Sequence, residues 1–424
     1  KDAHINIKHY GEIAQTAERA KFDLLFLADG NAVRKAHIDA ISRSTQFVAH
    51  FEPLTLLSAL AMVTEHIGLV GTASSSWNAP YHIARKFASL DHISGGRAAW
   101  NVVTSGNDAE SQNFGVDHAY AHADRYDRAH EVVDIVKGLW DSFDDDAFVR
   151  DTESGLFFEP DAMHELNHKS ERYSVKGPLN VPRPIQGYPV VIQAGASAAG
   201  KELAGATAEA IFSPHLNFES AKAYYDDVKA RMVKYGRDPA HCKILPGLSI
   251  HVRPTEAEAK EDFDYIQSLI HPIVGREILA SMLGVDLSDF DLDKPLPDPL
   301  PVHVGGSRGH YDELTALGRK TGMTIRELGA HSAGARGKNV FVGSPEQVAD
   351  YMEEWFQGEA CDGFTIMPPY APGAFDDFCE LVMPILKDRG LFRTEYTGST
   401  LRENMGLPRP ESRYAKKSGS AAAE

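Results

Sequence analysis

The sequence predicts an α/β protein built on a single parallel (β/α)8 barrel, the TIM barrel. Short apolar segments typical of buried strands alternate along the chain with longer amphipathic segments typical of helices. Several of the apolar segments become polar at their carboxyl ends, where barrel enzymes place their ligand-binding groups. A length of 424 residues also fits one barrel that carries insertions.

The chain opens on a predicted helix, residues 10–20, and a strand follows over 22–28. A βα barrel begins with a strand, so we expect strand 1 to precede Lys1. The next pair is a helix over 53–65, which starts at a proline, and a strand over 67–76 that ends in small hydroxyl side chains.

The middle of the chain continues this alternation. The predicted elements are, in order, helix 82–92, strand 97–103, helix 119–140, strand 188–194, helix 197–206, strand 210–213, helix 218–235 and strand 243–252. The segment 141–184 interrupts the series, because its irregular, polar sequence is too long for an ordinary connection.

The last third of the chain is predicted to close the barrel. A helix over 255–283 is followed by residues 286–336, which are rich in Pro, Gly and His and lack periodicity. Helix 345–357, strand 363–367 and helix 375–388 then complete the fold.

These elements predict a simple domain organisation. We expect one barrel domain over 1–397, with a lid-like insertion at 258–338 that covers the barrel mouth and a C-terminal tail at 398–424.

The composition narrows the possible partners and compartments. The 60 acidic and 43 basic residues give a net charge of −17, which argues against nucleic acid or an anionic membrane as a partner. No apolar run approaches the length of a membrane span, and no signal peptide is visible. Cys242, Cys361 and Cys379 are odd in number and widely spaced, which predicts reduced thiols in a cytoplasmic protein.

The most informative stretch is 94–105, Ser-Gly-Gly-Arg-Ala-Ala-Trp-Asn-Val-Val-Thr-Ser. Its two glycines are suited to end the preceding helix, and the β-forming residues after them predict a strand. The strand ends in Asn101, Thr104 and Ser105, small hydrogen-bonding side chains that a packed strand interior disfavours. These residues either cap the strand and begin a loop or present hydrogen-bonding groups to a ligand.

Together with other motifs in the same order, this stretch resembles the flavin-dependent monooxygenases of the bacterial luciferase superfamily. It is most similar to the branch that contains nitrilotriacetate monooxygenase, dibenzothiophene-sulfone monooxygenase and pristinamycin IIA synthase. The motifs that carry the resemblance are residues 73–92, 94–105, 125–129, 177–181, 193–197 and 343–348.

The resemblance implies a luciferase-like barrel and a specific chemistry. The cofactor would be FMN in its reduced form, FMNH2, and O2 would be the co-substrate. A flavin C4a-(hydro)peroxide would transfer one oxygen atom to a small organic substrate and leave the other as water. In this branch a separate NAD(P)H:flavin reductase supplies the FMNH2, and the oxygenase would be a homodimer or homotetramer.

A phosphate site is predicted where Arg125 and Tyr126 meet the turn Gly195-Ala196-Ser197. A helix amino terminus offers free N–H groups and a favourable dipole, and arginine adds positive charge. Taken alone, these residues also fit an N-cap serine and a surface ion pair. The resemblance implies that Tyr126 and Ser197 bind the FMN phosphate.

Asp29, Thr72, Asn101 and Ser105 lie at the carboxyl ends of three predicted strands. The resemblance implies that they line the flavin ring, and it makes Asn101 a catalytic candidate. A second catalytic candidate is His310, which we expect to reach the substrate from the insertion.

Other motifs in the sequence bear on alternative functions. His164 and His168 match the zinc-peptidase pattern HExxH, which functions on a helix, but the surrounding sequence is polar and irregular. A zinc hydrolase is therefore the weaker alternative, and a deazaflavin-dependent oxidoreductase of the same superfamily is the other. The glycine-rich run 305–309 lacks the lysine of a phosphate loop, and no dinucleotide-binding turn is present.

Overall fold

The computed structural model describes residues 2–33, 37–44, 48–300, 308–335 and 339–415. The helices are α1 (Ile7–Arg19), α2 (Ile38–Ile41), α3 (Pro53–Leu60), α4 (Pro80–Ser94), α5 (Asp108–Asn113), α6 (His122–Trp140), α7 (Ala198–Thr207), α8 (Phe218–Lys234), α9 (Glu256–Ser268), α10 (Pro272–Leu283), α11 (Arg308–Thr321), α12 (Ile325–Ala335), α13 (Pro345–Gln357), α14 (Gly373–Asp377), α15 (Met383–Asp388) and α16 (Leu401–Asn404). A π-helical turn, Phe378–Val382, joins α14 to α15.

The strands are β1 (Leu24–Leu27), β2 (Gly68–Ser74), β3 (Ala98–Val103), β4 (His168–Lys169), β5 (Ser174–Val175), β6 (Val190–Gln193), β7 (Ala210–Ser213), β8 (Lys243–Val252), β9 (Asn339–Gly343) and β10 (Thr365–Ile366). The main sheet is parallel throughout. Its continuous order is β1-β2-β3-β6-β7-β8-β10, with β9 paired to β8. The predicted parallel α/β architecture is therefore confirmed.

The sheet curls around a common interior. Inward-facing side chains of six strands form one apolar cluster that includes Phe26, Val70, Ala99 and Ile192. The ring of Phe26 on β1 stacks on that of Phe212 on β7 at 6.1 Å between centroids, although three strands separate β1 from β7 in the sheet order. Contact between such distant strands requires the closing curvature of a barrel.

The two ends of the strand path face each other across a gap. Within the described residues, β1 and β10 are not hydrogen-bonded to each other. A cavity of 790 Å³ lies between them, and its walls include Leu24, Phe26, Ile366 and Phe378. Helix α1 covers the gap from outside, with Ile13 and Ala17 among the lining residues.

Four helical segments follow β8 and form the insertion. The predicted helix 255–283 is divided into α9 and α10, because Pro272 cannot continue a helix and instead opens the second one. Helices α11 and α12 lie within 286–336, where the sequence analysis found no periodicity. Leu279, Leu283, Leu314 and Leu328 belong to a separate apolar core within this insertion.

The C-terminal segment is part of the barrel as far as it is described. Of the predicted tail 398–424, residues 398–415 are packed, and Leu401 and Met405 join the cluster of the barrel interior. The buried Arg402 guanidinium donates to both carboxylate oxygens of Glu209 at 2.7 and 2.8 Å. The prediction of a tail is therefore wrong for residues 398–415, which pack against the barrel. Residues 416–424 lie outside the described residues.

Among the described helices, none combines the length and the apolar character that crossing a bilayer requires.

Candidate active site

The carboxyl ends of β2 and β3 carry a buried hydrogen-bond chain. The Asn101 amide nitrogen donates to the Thr72 hydroxyl at 2.8 Å, and that hydroxyl donates to the Leu27 carbonyl at 2.8 Å. Thr72 and Asn101 are paired in register. They point inward, as do Val70 and Ala99, which lie two residues earlier on the same two strands. The structure therefore brings these two predicted residues together on the interior of the barrel mouth.

One atom of this chain is left without a partner. Asn101 is 3% exposed, and its Oδ1 accepts no hydrogen bond from any described residue. Burying an acceptor without a donor costs about 1–3 kcal/mol, and native proteins leave few such atoms. An oriented, unpaired acceptor at the mouth is what a ligand N–H group requires.

Asp29 and Ser105 lie on the loops that follow β1 and β3. Asp29 is exposed at the mouth, yet desolvation by the surrounding chain, followed by the charges of Glu52 and Glu110, raises its pKa. Ser105 has a φ of 31°, in the left-handed region that a residue with a side chain rarely adopts. Strain of this kind is found preferentially at functional sites.

A cradle forms where the start of α7 meets α6. Gly195 and Gly200 touch each other so closely that a Cβ on either would lie within 2.8 or 2.9 Å of the other's backbone. The Ser197 hydroxyl accepts from the Gly200 N–H at 3.1 Å and donates to the Tyr126 hydroxyl at 3.4 Å. Gly195, Ser197 and Tyr126 are thus grouped as predicted, and Ala196 lies exposed beside them.

Among the described residues, Arg125 makes no hydrogen bond to this cradle. Its guanidinium packs against Gly106, the residue after Ser105, where any side chain would collide with it. Its Nε is buried and has no partner among the described residues. Arg125 therefore links the start of α6 to the loop after β3, between the two groups of predicted site residues.

Two further side chains beside the cradle were not predicted. Tyr224 on α8 donates its hydroxyl to the Gly195 carbonyl at 2.8 Å, and its ring contacts that of His215 at 4.7 Å. His215 follows β7, and its Nε2 is buried without a described partner. Burial, and after it the charge of Lys201, lowers the pKa of His215. Its position just after a predicted strand was the available sequence signal.

His310 falls in the first turn of α11, but its side chain is outside the part of the chain that the structure describes. Its predicted role at the substrate remains a prediction.

The HExxH residues do not form the geometry that a zinc peptidase requires. His164 lies in irregular chain, bonds to Asp144 at 2.9 Å and stacks on Tyr414 at 4.3 Å. His168 lies in β4 and bonds to Glu131 at 2.8 Å. The pattern needs both histidines on one helix face. Neither histidine lies on a helix, so the structure does not support the zinc hydrolase interpretation. Within the described ranges, no group of three or more His, Cys, Asp or Glu side chains could hold a metal.

Two known proteins with similar sequences are named as monooxygenases. The chain is 49% identical over 417 residues to the N-acetyl-S-(2-succino)cysteine monooxygenase of Bacillus subtilis (strain 168), and the match covers 98% of this chain and 93% of that protein. It is 48% identical over 420 residues to nitrilotriacetate monooxygenase component A of Aminobacter aminovorans, with 97% and 92% covered.

Solved structures with the same fold support this relationship. DmoA from Hyphomicrobium sulfonivorans aligns with a TM-score of 0.86 and 30% identity over 94% of this chain and 85% of that one. The riboflavin lyase RcaE, solved with modified FMN and the substrate riboflavin, aligns with a TM-score of 0.84 and 32% identity over 95% of this chain and 89% of that one. Residues 2–360 match the sequence model of a single family. The chain therefore belongs to the luciferase-like monooxygenase family.

Proposed function

We propose that this chain is the oxygenase component of a two-component system. It binds FMNH2 in the barrel mouth and uses O2 to insert one oxygen atom into a small organic substrate. The proposal rests on two features that occur together. One is an unpartnered acceptor, Asn101 Oδ1, and the other is the glycine cradle that includes Ser197 and Tyr126. Both lie at the carboxyl ends of barrel strands, where such enzymes bind ligands.

These residues fit a flavin mononucleotide. The amino terminus of α7, the Ser197 hydroxyl and the Tyr126 hydroxyl supply donors and a favourable dipole for a phosphate. Asn101 Oδ1 supplies an acceptor for an N–H group of a flavin ring. When bound, the reduced flavin would supply the electrons that activate O2. The chain's own contribution is to fix the ring, exclude water and offer hydrogen bonds.

A separate NAD(P)H:flavin reductase would supply the reduced flavin. One relative is named as component A of its system, which implies that another component completes it. A site for nicotinamide dinucleotides usually includes a glycine-rich turn between a strand and a helix, and the βα turn at Gly195 lacks that glycine spacing. We therefore treat FMNH2 as a diffusing co-substrate.

The assay for this proposal combines the purified chain with NADH, oxidised FMN and a candidate substrate. N-acetyl-S-(2-succino)cysteine and nitrilotriacetate are the first candidates, since relatives are named for them. We expect no NADH oxidation until an unrelated flavin reductase is added. With the reductase present, one substrate should give an oxygenated product and lower the amount of hydrogen peroxide formed per NADH oxidised.

The same assay includes a control and a contrary outcome. Reductase without the oxygenase should consume NADH but form no product. If the chain alone oxidised NADH and formed product, it would be a self-sufficient flavoenzyme, and the two-component proposal would be wrong.

A further inference from the structure

A tyrosine of α8 holds the backbone of the glycine cradle. The Tyr224 hydroxyl donates to the Gly195 carbonyl at 2.8 Å, although the two residues are 29 positions apart in the sequence. Gly195 belongs to the turn between β6 and α7, in which Ala196 and Ser197 are exposed. A helix outside the cradle therefore fixes one of the backbone carbonyls that form it.

Packing fixes the position of the Tyr224 ring. The residue is 4% exposed and belongs to an apolar core with Ala204, Ile211 and Val228, which come from α7, β7 and α8. The His215 ring contacts it at 4.7 Å between centroids. Burial raises the pKa of the Tyr224 hydroxyl, so the group stays protonated and remains a donor. The hydroxyl is therefore a fixed donor to the Gly195 carbonyl.

This hydrogen bond also determines the direction of a neighbouring N–H group. The peptide bond between Gly195 and Ala196 is trans, and in a planar trans peptide the C=O and N–H bonds point in opposite directions. Because the carbonyl points toward Tyr224, the Ala196 N–H points away from it. That N–H donates to no described residue, and Ala196 is exposed. The start of α7 therefore presents a backbone donor that the protein itself does not use.

The sequence of the turn does not fix this peptide by itself. Glycine is required at position 195, because a Cβ there would lie 2.8 Å from the Gly200 Cα. Glycine also accepts backbone conformations that other residues avoid, so it permits more than one orientation of the peptide that follows. A rotated peptide would turn the Gly195 carbonyl oxygen, which repels an anion, to the side where the N–H now lies. The bond from Tyr224 stabilises the orientation that suits an anion.

We propose that Tyr224 is a positioning residue for the flavin phosphate, and that it acts by holding the Ala196 N–H toward that phosphate. The inference rests on the proposed function, because it takes the cradle as the phosphate site. Tyr224 contacts the backbone of the cradle and not the ligand. The Ala196 N–H then adds a donor to the hydroxyls of Ser197 and Tyr126, and a phosphate accepts several such bonds.

The test compares two adjacent tyrosines of α8. Tyr224→Phe removes the hydroxyl that bonds to Gly195. Tyr225→Phe is the matched control, because its hydroxyl bonds at 3.2 Å to Asp362, which lies at the amino end of β8. Dissociation constants for FMNH2 and for reduced riboflavin are measured anaerobically, and melting temperatures verify that each variant is folded. We expect Tyr224→Phe to reduce the preference for FMNH2 by about tenfold without changing the binding of reduced riboflavin.

A third variant shows whether Tyr224 acts through the Ala196 N–H. Ala196→Pro removes that N–H, which has no partner among the described residues. Ala196 does not have the positive φ that would exclude proline. We expect Ala196→Pro to reduce the preference for FMNH2 as Tyr224→Phe does. The double variant should lose no more than either single variant, because both changes remove the same interaction.

Three results would overturn the inference. Tyr224→Phe could keep the wild-type preference for FMNH2, or Tyr225→Phe could lose it to the same extent. The third is that the effects of Tyr224→Phe and Ala196→Pro add in the double variant, since Tyr224 would then act by another route. A wild type that does not prefer FMNH2 to reduced riboflavin would instead show that the phosphate site of the proposed function is misplaced, so the two failures are distinguishable.

Discussion

His215 shows how burial at the candidate site controls a charge. Its pKa is lowered by burial and then by Lys201, so the imidazole beside the cradle stays neutral at a pH where a free histidine becomes protonated. In the unfolded chain the same residue would take up a proton near pH 6.5. Below that value the unfolded state binds the extra proton, so the free energy of unfolding decreases as pH falls toward the lower, folded-state pKa.

We therefore expect His215→Gln to reduce the sensitivity of the protein to acid. Between about pH 7.5 and pH 5.5, the melting temperature of the wild type should fall further than that of the variant. Thermal unfolding at several pH values measures the difference. His118→Gln, at a side chain that is 82% exposed, should follow the wild type. Equal acid sensitivity in His215→Gln and wild type would contradict the proposed linkage.

At the residue scale, the sequence predicted which types of side chain gather at the mouth but not their partners. Thr72 and Asn101 were recognisable because polar residues end apolar strands. The direction of Arg125 toward Gly106 was not recognisable, because it depends on the close approach of the start of α6 to a loop that lies 19 positions earlier in the sequence. His215 and Tyr224 meet through the packing of β7 and α8, which no local pattern encodes.

At the scale of elements, the insertion is held together by a close helix crossing. Gly275 of α10 and Gly329 of α12 face each other, and a Cβ on Gly329 would lie 2.8 Å from the Gly275 backbone. Both positions therefore require glycine for the helices to reach this separation. The crossing sets the distance between α12 and α10.

Gly329→Ala should separate these helices and loosen the insertion. Overpacking of this kind costs about 1–3 kcal/mol, and we expect the cost to appear locally as faster hydrogen exchange in α10 and earlier proteolysis within 284–300. Exchange in barrel strands such as β3 should be unchanged. Gly318→Ala is the matched control, because its Cβ would meet only flexible leucine side chains. Uniform protection of the insertion in Gly329→Ala would show that the crossing does not hold it.

The longer strands and helices up to β8 were predictable because their periodicity is clear, and several boundaries agree within a few residues. The short elements α2, α5, β4 and β5 were not predicted, because each is too short to show a period. Strand β9 (Asn339–Gly343) was missed, since its five residues follow a glycine-rich segment and carry no distinct alternation. Helices α11 and α12 were missed for a related reason. Their glycine and polar content resembles that of a loop, and they are stabilised mainly by packing against α10 rather than by helix propensity.

At the scale of the whole molecule, the gap between β1 and β10, which we call the slot, leaves the barrel wall open over the width of one strand. The continuous path holds seven of the eight strands of the sheet, since β9 lies off that path and pairs with β8, whereas a TIM barrel closes with eight strands in one ring. The slot has apolar side chains on both sides of the wall, with Phe26 facing the interior and Phe378 facing the outer helices. These features match an extended segment with alternating apolar side chains.

We expect an extended apolar segment attached ahead of α1 to occupy this slot and close the wall. Such a segment would pair with β1 in the right-handed βα arrangement that parallel sheets require. Burying the slot should raise the melting temperature by several degrees, at roughly 2–4 °C per kcal/mol. Thermal unfolding of the extended chain measures this. A Gly/Ser segment of equal length is the control, and equal stabilisation by both would contradict a strand in the slot.

We propose that the cradle of Gly195, Ser197 and Tyr126 holds the phosphate of reduced FMN. This proposal is tested most directly by anaerobic binding of FMNH2 and of reduced riboflavin, which lacks the phosphate. The proteins compared are the wild type, the double variant Ser197→Ala/Tyr126→Phe, and Ser344→Ala, which removes an equivalent N-cap serine from α13.

We predict that wild type and Ser344→Ala bind FMNH2 more tightly than reduced riboflavin. The double variant should lose that preference, because each hydrogen bond to a charged phosphate contributes about 1.5–3 kcal/mol. Binding of reduced riboflavin should be the same in all three proteins. A double variant that still preferred FMNH2 as strongly as the wild type would contradict the placement of the flavin.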